Sequence, residues 1–345
     1  MYRAETGKYL VLGFAFSAMV LAAAADLLFG GAAIGVRDVI SALGTGPEGP
    51  ATVLVRDFRL PRVLTALLCG MALSAGGLQM QDIFRNPLAD PHIMGVSGGA
   101  SLGAALYLMG AGARAVASFP YAGGCGLAQT VADGSLGLAG AAFLGAAAAA
   151  LLMVAVSSRT GSGNVLLLFG VMLGFITGAL VTMLQSGAGE SALRLYCSWS
   201  AGSFSEAPWS RLILLLLFVA IGLAIPVFSA RGLDAIQFGD DFTLMSGRSP
   251  RRIRTAALLS CCLQTGAVTA FCGPIGFVGI AAPHIARRLL GKNTTAVLLP
   301  VAVMCGGTLC ACADLLVQAS ALALPAGSAM AIVGIPFVMG ALMRR

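Results

Sequence analysis

The chain has 345 residues, of which 58% are hydrophobic and 10% are charged. Soluble domains carry about 25% charged residues, so this composition excludes a soluble α/β domain and predicts a polytopic membrane protein. The net charge of +7 then reflects topology rather than nucleic-acid binding, because Lys and Arg collect on the cytoplasmic side of membrane proteins.

Ten apolar segments follow one another along the chain, and each is a candidate membrane-spanning helix. About 20 apolar residues span a bilayer, although the third, eighth and tenth segments are short. The Gly-rich residues 111–135 are ambiguous. The sequence therefore predicts an all-α membrane protein with about ten transmembrane helices, at 9–29, 61–82, 93–110, 136–158, 164–186, 211–229, 254–272, 274–289, 296–318 and 327–343.

The distribution of basic residues predicts the orientation of these helices. With the N-terminus inside, 14 of the 21 Lys and Arg residues lie on the inner side and 7 on the outer side, which satisfies the positive-inside rule. We therefore expect both termini in the cytoplasm. Residues 1–345 are predicted to form one polytopic domain, with its longest outer polar stretch at 30–60.

The inner stretch between the sixth and seventh helices, about residues 231–253, combines basic and apolar side chains. One interpretation is a solvated loop with the ordinary positive charge of the cytoplasmic side. The other is a docking element for a cytoplasmic partner, because a solvated loop needs no apolar side chains such as Phe238, Phe242 and Met245. The turn and basic residues assigned to such a contact are Gly247, Arg248, Arg251 and Arg252.

The sequence holds no recognisable site for energy conversion or for a bound metal. It lacks the G-x-x-x-x-G-K-[ST] phosphate loop, it has two histidines, and most of its nine cysteines fall in apolar segments, where Cys acts as a small hydrophobe. We expect no enzyme activity and no cofactor in this chain. Cys125 and Cys197 fall in predicted outer loops, where a disulfide between them is an open alternative to two free thiols.

A few polar residues fall within or beside the predicted helices. Asp314 and Gln318 lie four residues apart on one face of the ninth helix, and intramembrane acids are functional candidates. The alternative is a buried carboxylate that backbone amides or a helix N-terminus satisfy. Arg59 and Arg62, at the outer end of the second helix, are either interfacial anchors or a cationic rim for an acidic partner.

Two stretches interrupt the apolar sequence with Pro, Gly and polar residues. In lipid, an interrupted backbone is tolerated where protein buries it or where it lines a water-filled path. The interruptions therefore indicate a transport route. The first stretch contains Arg59-Leu60-Pro61-Arg62, Arg85-Asn86-Pro87-Leu88-Ala89-Asp90-Pro91 and Gly95-Val96-Ser97-Gly98-Gly99-Ala100, and the second is Gly273-Pro274-Ile275-Gly276-Phe277-Val278-Gly279 with Pro283-His284.

Together with Leu324-Pro325-Ala326-Gly327 and Gly334-Ile335-Pro336-Phe337, these motifs resemble those of FecCD-type permeases. Such permeases are the membrane subunits of binding-protein-dependent ABC importers for iron-siderophore, haem and cobalamin. The resemblance runs from about residue 10 to Arg345. It implies the type II ABC importer permease architecture in the bacterial cytoplasmic (inner) membrane, usually as a homodimer with a second permease copy. Transport would proceed by alternating access along the two-fold axis.

The resemblance also implies partners and site residues. Two cytoplasmic ATP-binding subunits, which hold ATP and Mg²⁺, would contact the inner stretch, and an extracytoplasmic substrate-binding protein would meet Arg59 and Arg62. Asn86 and Leu88 correspond to an inner gate. The family often has Arg at the position of Gln318, so this departure predicts an outer contact that is weaker or differently placed. Membrane lipid is an expected partner and nucleic acid is not.

A secondary transporter coupled to protons or ions is the alternative from another functional class. It would require intramembrane acids or ion sites at broken helices, and Asp314 alone is thin support for it. The sequence leaves the cargo open among iron chelates, haem and cobalamin.

Overall fold

The computed structural model describes residues 2–29, 35–44, 49–110, 135–160, 163–205, 208–291, 293–320 and 324–342. These residues form fourteen α-helices and no strand. One π-helical turn, Leu54–Arg59, leads into α4, and one 3-10 turn, Pro91–Met94, precedes α5. The helices are α1 (Tyr2–Leu28), α2 (Val36–Leu43), α3 (Pro50–Val53), α4 (Leu60–Phe84), α5 (Val96–Met109), α6 (Ser135–Thr160), α7 (Gly163–Ser186), α8 (Glu190–Ser200), α9 (Trp209–Gln237), α10 (Asp240–Met245), α11 (Pro250–Cys272), α12 (Val278–Leu290), α13 (Thr295–Ala319) and α14 (Ala326–Leu342).

The helix pattern confirms the predicted all-α membrane fold. Each of the ten predicted apolar segments coincides with a helix of the structure. Seven helical stretches of the described residues are long and apolar enough to cross a membrane. The other three segments are α5, α12 and α14, which have 14, 13 and 17 residues. They are the three segments that the sequence predicts to be short.

Several helix boundaries differ from the predicted ones, and both long polar stretches contain helical residues. The inner stretch 231–253 is mostly helical, because α9 continues to Gln237 and α10 follows within three residues. The outer stretch 30–60 contains α2, α3 and the π turn. The eighth helix begins at Val278 rather than at residue 274, because Gly273 and Phe277 have φ values of 76° and 68° that interrupt the helix. Residues 111–134, including Cys125, lie outside the described residues.

Helices α4, α11 and α13 form the centre of the bundle. Helix α4 packs against α9, α11, α12 and α13, and most of its length is buried. Glycines bring these helices together. A Cβ atom on Gly70 would overlap the backbone of Gly306 in α13, and one on Gly77 would overlap the backbone of Gly279 in α12. Lipid tails are as apolar as the side chains, so burial of apolar surface does not draw helices together within a membrane. Close packing of this kind supplies the attraction instead.

Helices α1, α7 and α9 lie at the periphery. Less than a third of the apolar stretch of each is buried. Large apolar side chains on these helices, such as Phe14, Phe175 and Phe228, are exposed. Extended apolar faces of this kind mark contact with a membrane or with another protein.

Gly77→Ala tests the close packing of α4 against the start of α12. The added Cβ would overlap the carbonyl oxygen of Gly279, and overpacking costs about 1–3 kcal/mol. We expect a lower thermal unfolding temperature for the detergent-solubilised protein.

Gly140→Ala in α6 is the matched control for this change. Among the described residues, its Cβ would meet no heavy atom within 4 Å, and Ala stabilises a helix by about 0.5–1 kcal/mol relative to Gly. Equal unfolding temperatures for the two variants would contradict the packing of α4 against α12.

Candidate functional site

Charged side chains gather at the two ends of the bundle. The Asp314 end holds the last turn of α1, the start of α4 and the last turns of α13. The Asp240 end holds the last turn of α4, helix α10 and the starts of α11 and α13. Four ion pairs of the described residues join separate elements at these ends: Arg62–Asp314 at the first, and Arg85–Asp240, Arg254–Asp240 and Arg287–Asp82 at the second.

Asp314 is buried and is paired with an arginine. The Nε of Arg62 donates to both carboxylate oxygens at 3.0 and 2.8 Å, and its Nη2 donates to Oδ1 at 2.7 Å. The side chain of Asp314 is 1% exposed and that of Arg62 is 22% exposed. Among the described residues, the charged partner of this carboxylate is therefore a side chain from α4 rather than a backbone amide.

Asp26 in α1 completes this cluster, and the sequence analysis did not single it out. Gln318 Nε2 donates to Asp26 Oδ1 at 2.8 Å and to Asp314 Oδ2 at 2.9 Å. One amide therefore bridges the two carboxylates. Asp26 is fully buried. The signal available in the sequence was an acid near the end of an otherwise apolar segment, since such acids are rare in membrane helices.

Arg59 points to a different part of the same end. Its side chain is buried, and its Nη1 donates to the carbonyl oxygens of Leu27 at 3.0 Å and Leu28 at 3.4 Å. These carbonyls belong to the last turn of α1, where a cation is favourable. Arg59 and Arg62 therefore have separate partners within the chain. Their contact with an external partner stays a prediction.

The motif that begins at Arg85 forms a compact cap on α4. Arg85 has a φ of 49° and ends the helix. The backbone N–H of Leu88 donates to Asn86 Oδ1 at 3.0 Å, which closes a tight turn. Leu88 is 41% exposed and Asn86 is half-buried. The turn thus presents Leu88 at the surface of the Asp240 end.

Asp90 fixes the chain that follows this turn. Its Oδ1 accepts a hydrogen bond from the backbone N–H of His92 at 2.8 Å, at the start of the 3-10 turn. Burial raises the pKa of the Asp90 carboxyl, and the bond from His92 opposes that rise. The hydrogen bond orders the backbone between α4 and α5.

Helix α10 carries an exposed apolar surface beside exposed arginines. Phe238 and Met245 are 75% and 87% exposed, and Phe242 lies between them in the sequence and is also exposed. Gly247 has a φ of 75°, a conformation that favours glycine. The N–H of Arg248 then bonds to the Thr243 carbonyl at 3.1 Å. Arg248, Arg251 and Arg252, predicted as part of the same contact, are exposed.

The buried acid Asp82 lies in a hydrogen-bond network that joins four helices at this end. Arg287 Nη2 in α12 donates to Asp82 Oδ1 at 3.2 Å, and Thr295 Oγ1 in α13 donates to its Oδ2 at 3.3 Å. The N–H of Thr295 donates to Asp234 Oδ1 in α9 at 2.7 Å. Arg287 also bonds to Gln81 Oε1.

Within the described ranges, no group of three or more His, Cys, Asp and Glu could hold a metal ion. Cys197 is exposed in α8 and forms no disulfide with another described cysteine. Since Cys125 lies outside those ranges, the disulfide alternative stays a prediction.

The FecCD transport family matches residues 18–345 of this sequence. The chain belongs to this family. The hemin transport system permease protein HmuU of Yersinia pestis is 30% identical over 340 residues, which are 97% of this chain and 96% of the relative. The cobalamin import system permease protein BtuC of Halobacterium salinarum is 31% identical over 329 residues, 95% and 79% of the two chains. The resemblance inferred from the motifs is confirmed.

Two further comparisons agree with this assignment. The iron(3+)-hydroxamate import system permease protein FhuB of Bacillus subtilis is 29% identical over 341 residues, 96% of this chain and 82% of the relative. A structure described as an inward-facing conformation of a metal-chelate type ABC transporter superposes with a TM-score of 0.80 at 24% identity, and the match covers 97% of this chain and 99% of the other. At this identity, the superposition supports the fold.

The Arg62–Asp314 pair can be tested by a double-mutant cycle. Arg62→Ala leaves the Asp314 carboxylate buried without its cation, which costs about 2–3 kcal/mol. Asp314→Asn removes that charge. The loss of unfolding free energy in the double variant should therefore be about 1–3 kcal/mol smaller than the sum of the two single losses. The measurement is the unfolding free energy or temperature in detergent.

The exposed pair Arg194–Glu190 on α8, with both side chains mostly accessible, supplies the control cycle. Its coupling should stay below about 0.5 kcal/mol. Strictly additive losses at Arg62 and Asp314 would mean that the ion pair contributes nothing to stability.

Proposed function

We propose that this chain is the permease subunit of an ATP-driven importer that carries an iron chelate, haem or cobalamin across the bacterial cytoplasmic membrane. The observation that carries the proposal is the FecCD match over residues 18–345. The surface of α10 supports it, because its exposed apolar side chains next to exposed arginines suit a protein partner.

The cargo class follows from the named activities of the relatives. Permeases similar to this chain are named for hemin, cobalamin and iron(3+)-hydroxamate transport. The three cargoes share a large organic framework around a metal. A path for such cargo needs room and few specific ligands.

Helix α10 and the first turn of α11 form the proposed contact with the ATPase. Phe242 and Met245 would enter an apolar groove of that partner, while Arg248, Arg251 and Arg252 would meet acidic residues around it. The partner subunits, two per importer, would bind ATP and Mg²⁺. Both chain termini would lie on this side of the membrane.

The turn at Asn86 and Leu88 is the proposed inner gate, beside this contact. In a dimer of two permease copies, the two turns would face the pathway, and ATP-driven movement of the helices would open or close it. A proline follows Asn86 and limits its backbone freedom, so the turn is suited to move as a unit rather than to unfold.

The Asp314 end is the proposed contact with an extracytoplasmic binding protein. Arg62 is partly exposed, so a carboxylate of the partner can approach its guanidinium while Asp314 still holds it. Arg59 is buried and would support the position of α1 beneath that contact. Gln318 bridges the two acids where the family often has an arginine, so the contact depends mainly on Arg62.

We expect charge reversal of Arg251 and Arg252 to Glu to detach the ATPase, because the reversed charges would repel acidic groups on the partner. Both residues are exposed in the first turn of α11, so the permease should still fold. The measurement is co-purification of the ATPase with the tagged permease, together with the elution profile of the permease alone.

The same reversal of Arg194, an exposed residue on α8 away from this surface, serves as the control. It should leave the complex intact. Retention of the ATPase at full stoichiometry by the Arg251 and Arg252 variant would refute the assigned contact.

Reconstitution tests the function itself. Proteoliposomes that contain the permease, the ATPase and the binding protein encoded with them should take up a labelled chelate only when ATP is enclosed with the ATPase. Uptake driven by a proton or sodium gradient without the ATPase would instead establish a secondary transporter.

A further inference from the structure

Helix α10 is a short element with a glycine near each end. It has six residues and lies between Gly239 and Gly247, whose φ values are 123° and 75°. Glycine has more backbone freedom than any other residue, and hinges often use small residues. The backbone alone would therefore let α10 turn on its own when a partner moves it. A side-chain connection is needed to pass that movement to the rest of the chain.

Asp240, the first residue of α10, makes such a connection to α11. Arg254 Nη2 donates to both of its carboxylate oxygens, at 2.7 and 3.0 Å. The Arg254 side chain is 7% exposed, so this pair is protected from solvent on one side. Charge-assisted hydrogen bonds with a short donor distance are the stronger kind.

Asp240 also reaches the gate motif. Arg85 Nη2 lies 3.5 Å from Asp240 Oδ1, and Arg85 Nε donates to the carbonyl of Ile236 in α9 at 3.0 Å. Arg85 is the residue that ends α4, and Asn86 follows it directly. One carboxylate thus lies between the arginine of the gate motif and the arginine of α11, while the backbone of Asp240 belongs to α10.

We propose that Asp240 is a positioning residue that couples the movement of α10 to the turn at Asn86 and Leu88. The inference rests on the proposed function, since it takes α10 as the ATPase contact and the turn as the gate. Asp240 itself meets neither cargo nor nucleotide. It links Arg85 to Arg254, so that α10, α11 and the end of α4 change position together.

Asp241 provides a matched control. It is the next residue on the same helix, it has the same charge, and it is exposed. The described residues give it no ion pair. Substitution of either acid by Asn removes one negative charge from α10, but only Asp240→Asn removes the carboxylate that both arginines share.

The experiment uses the complete importer with Leu88→Cys as a reporter. Cytoplasmic thiol labelling of this cysteine should differ between the nucleotide-free and ATP-bound states. In the Asp240→Asn variant we expect the ATPase to co-purify and to hydrolyse ATP, while the effect of ATP on labelling is lost and the uptake per ATP falls at least threefold. Asp241→Asn should behave as the parent, and Asp240→Glu should restore part of the coupling.

Arg85→Gln offers a second variant, which leaves the Arg254–Asp240 pair in place. It should likewise remove the effect of ATP on labelling, so the inference stays testable if Asp240→Asn does not fold. An unchanged ATP effect and unchanged uptake per ATP in either variant, or the same loss in Asp241→Asn, would overturn the inference. Failure of the proposed function has a different signature, because the parent importer would then take up no chelate with ATP.

Discussion

Water is absent from the interior of a bilayer, so a charge or an open backbone group there costs several kcal/mol unless the protein satisfies it. This constraint determines where the polar residues of the chain lie. Asp314, Asp26 and Asp82 are buried, and each accepts hydrogen bonds from a side chain on another helix. Acids in lipid therefore act as connectors between helices rather than as isolated charges.

The same constraint explains the contrast between the centre and the ends of the bundle. In the centre, Gly70 and Gly77 bring α4 into backbone contact with α13 and α12, and helices packed this closely are hard to deform. At the Asp240 end, arginine–carboxylate pairs add side-chain links between helices to the apolar packing. An interdigitated core resists small displacements within it, and ionic links between helix ends let the linked ends change position as a unit.

Much of the fold could be predicted from the sequence. A run of apolar residues is a local signal, and all ten predicted segments correspond to helices. The apolar signal fades where a helix ends in polar residues. The sequence therefore predicts that α9 ends at residue 229, whereas it continues to Gln237. The sequence indicates an interruption at Gly273, but it does not show that the interruption delays the start of α12 to Val278.

The candidate site was less predictable, because its contacts join residues far apart in the chain. Arg62 and Asp314 are 252 positions apart and Arg85 and Asp240 are 155 apart, and no spacing rule connects them. Sequence reasoning placed Asp314 and Gln318 on one helix face but singled out Arg62 separately. It could not find that Asp26 joins them, nor that Arg59 turns towards the end of α1.

Helix α10 and the turn at Leu88 are expected to move as one body. Pulsed electron paramagnetic resonance tests this on an importer in which one permease copy carries spin labels at Leu88 and Asp241, two exposed positions. We expect the same distance between the two labels in the nucleotide-free and ATP-bound states, while labels at Leu88 of the two copies change their separation. A distance between Leu88 and Asp241 that changes when ATP binds would rule out this rigid coupling.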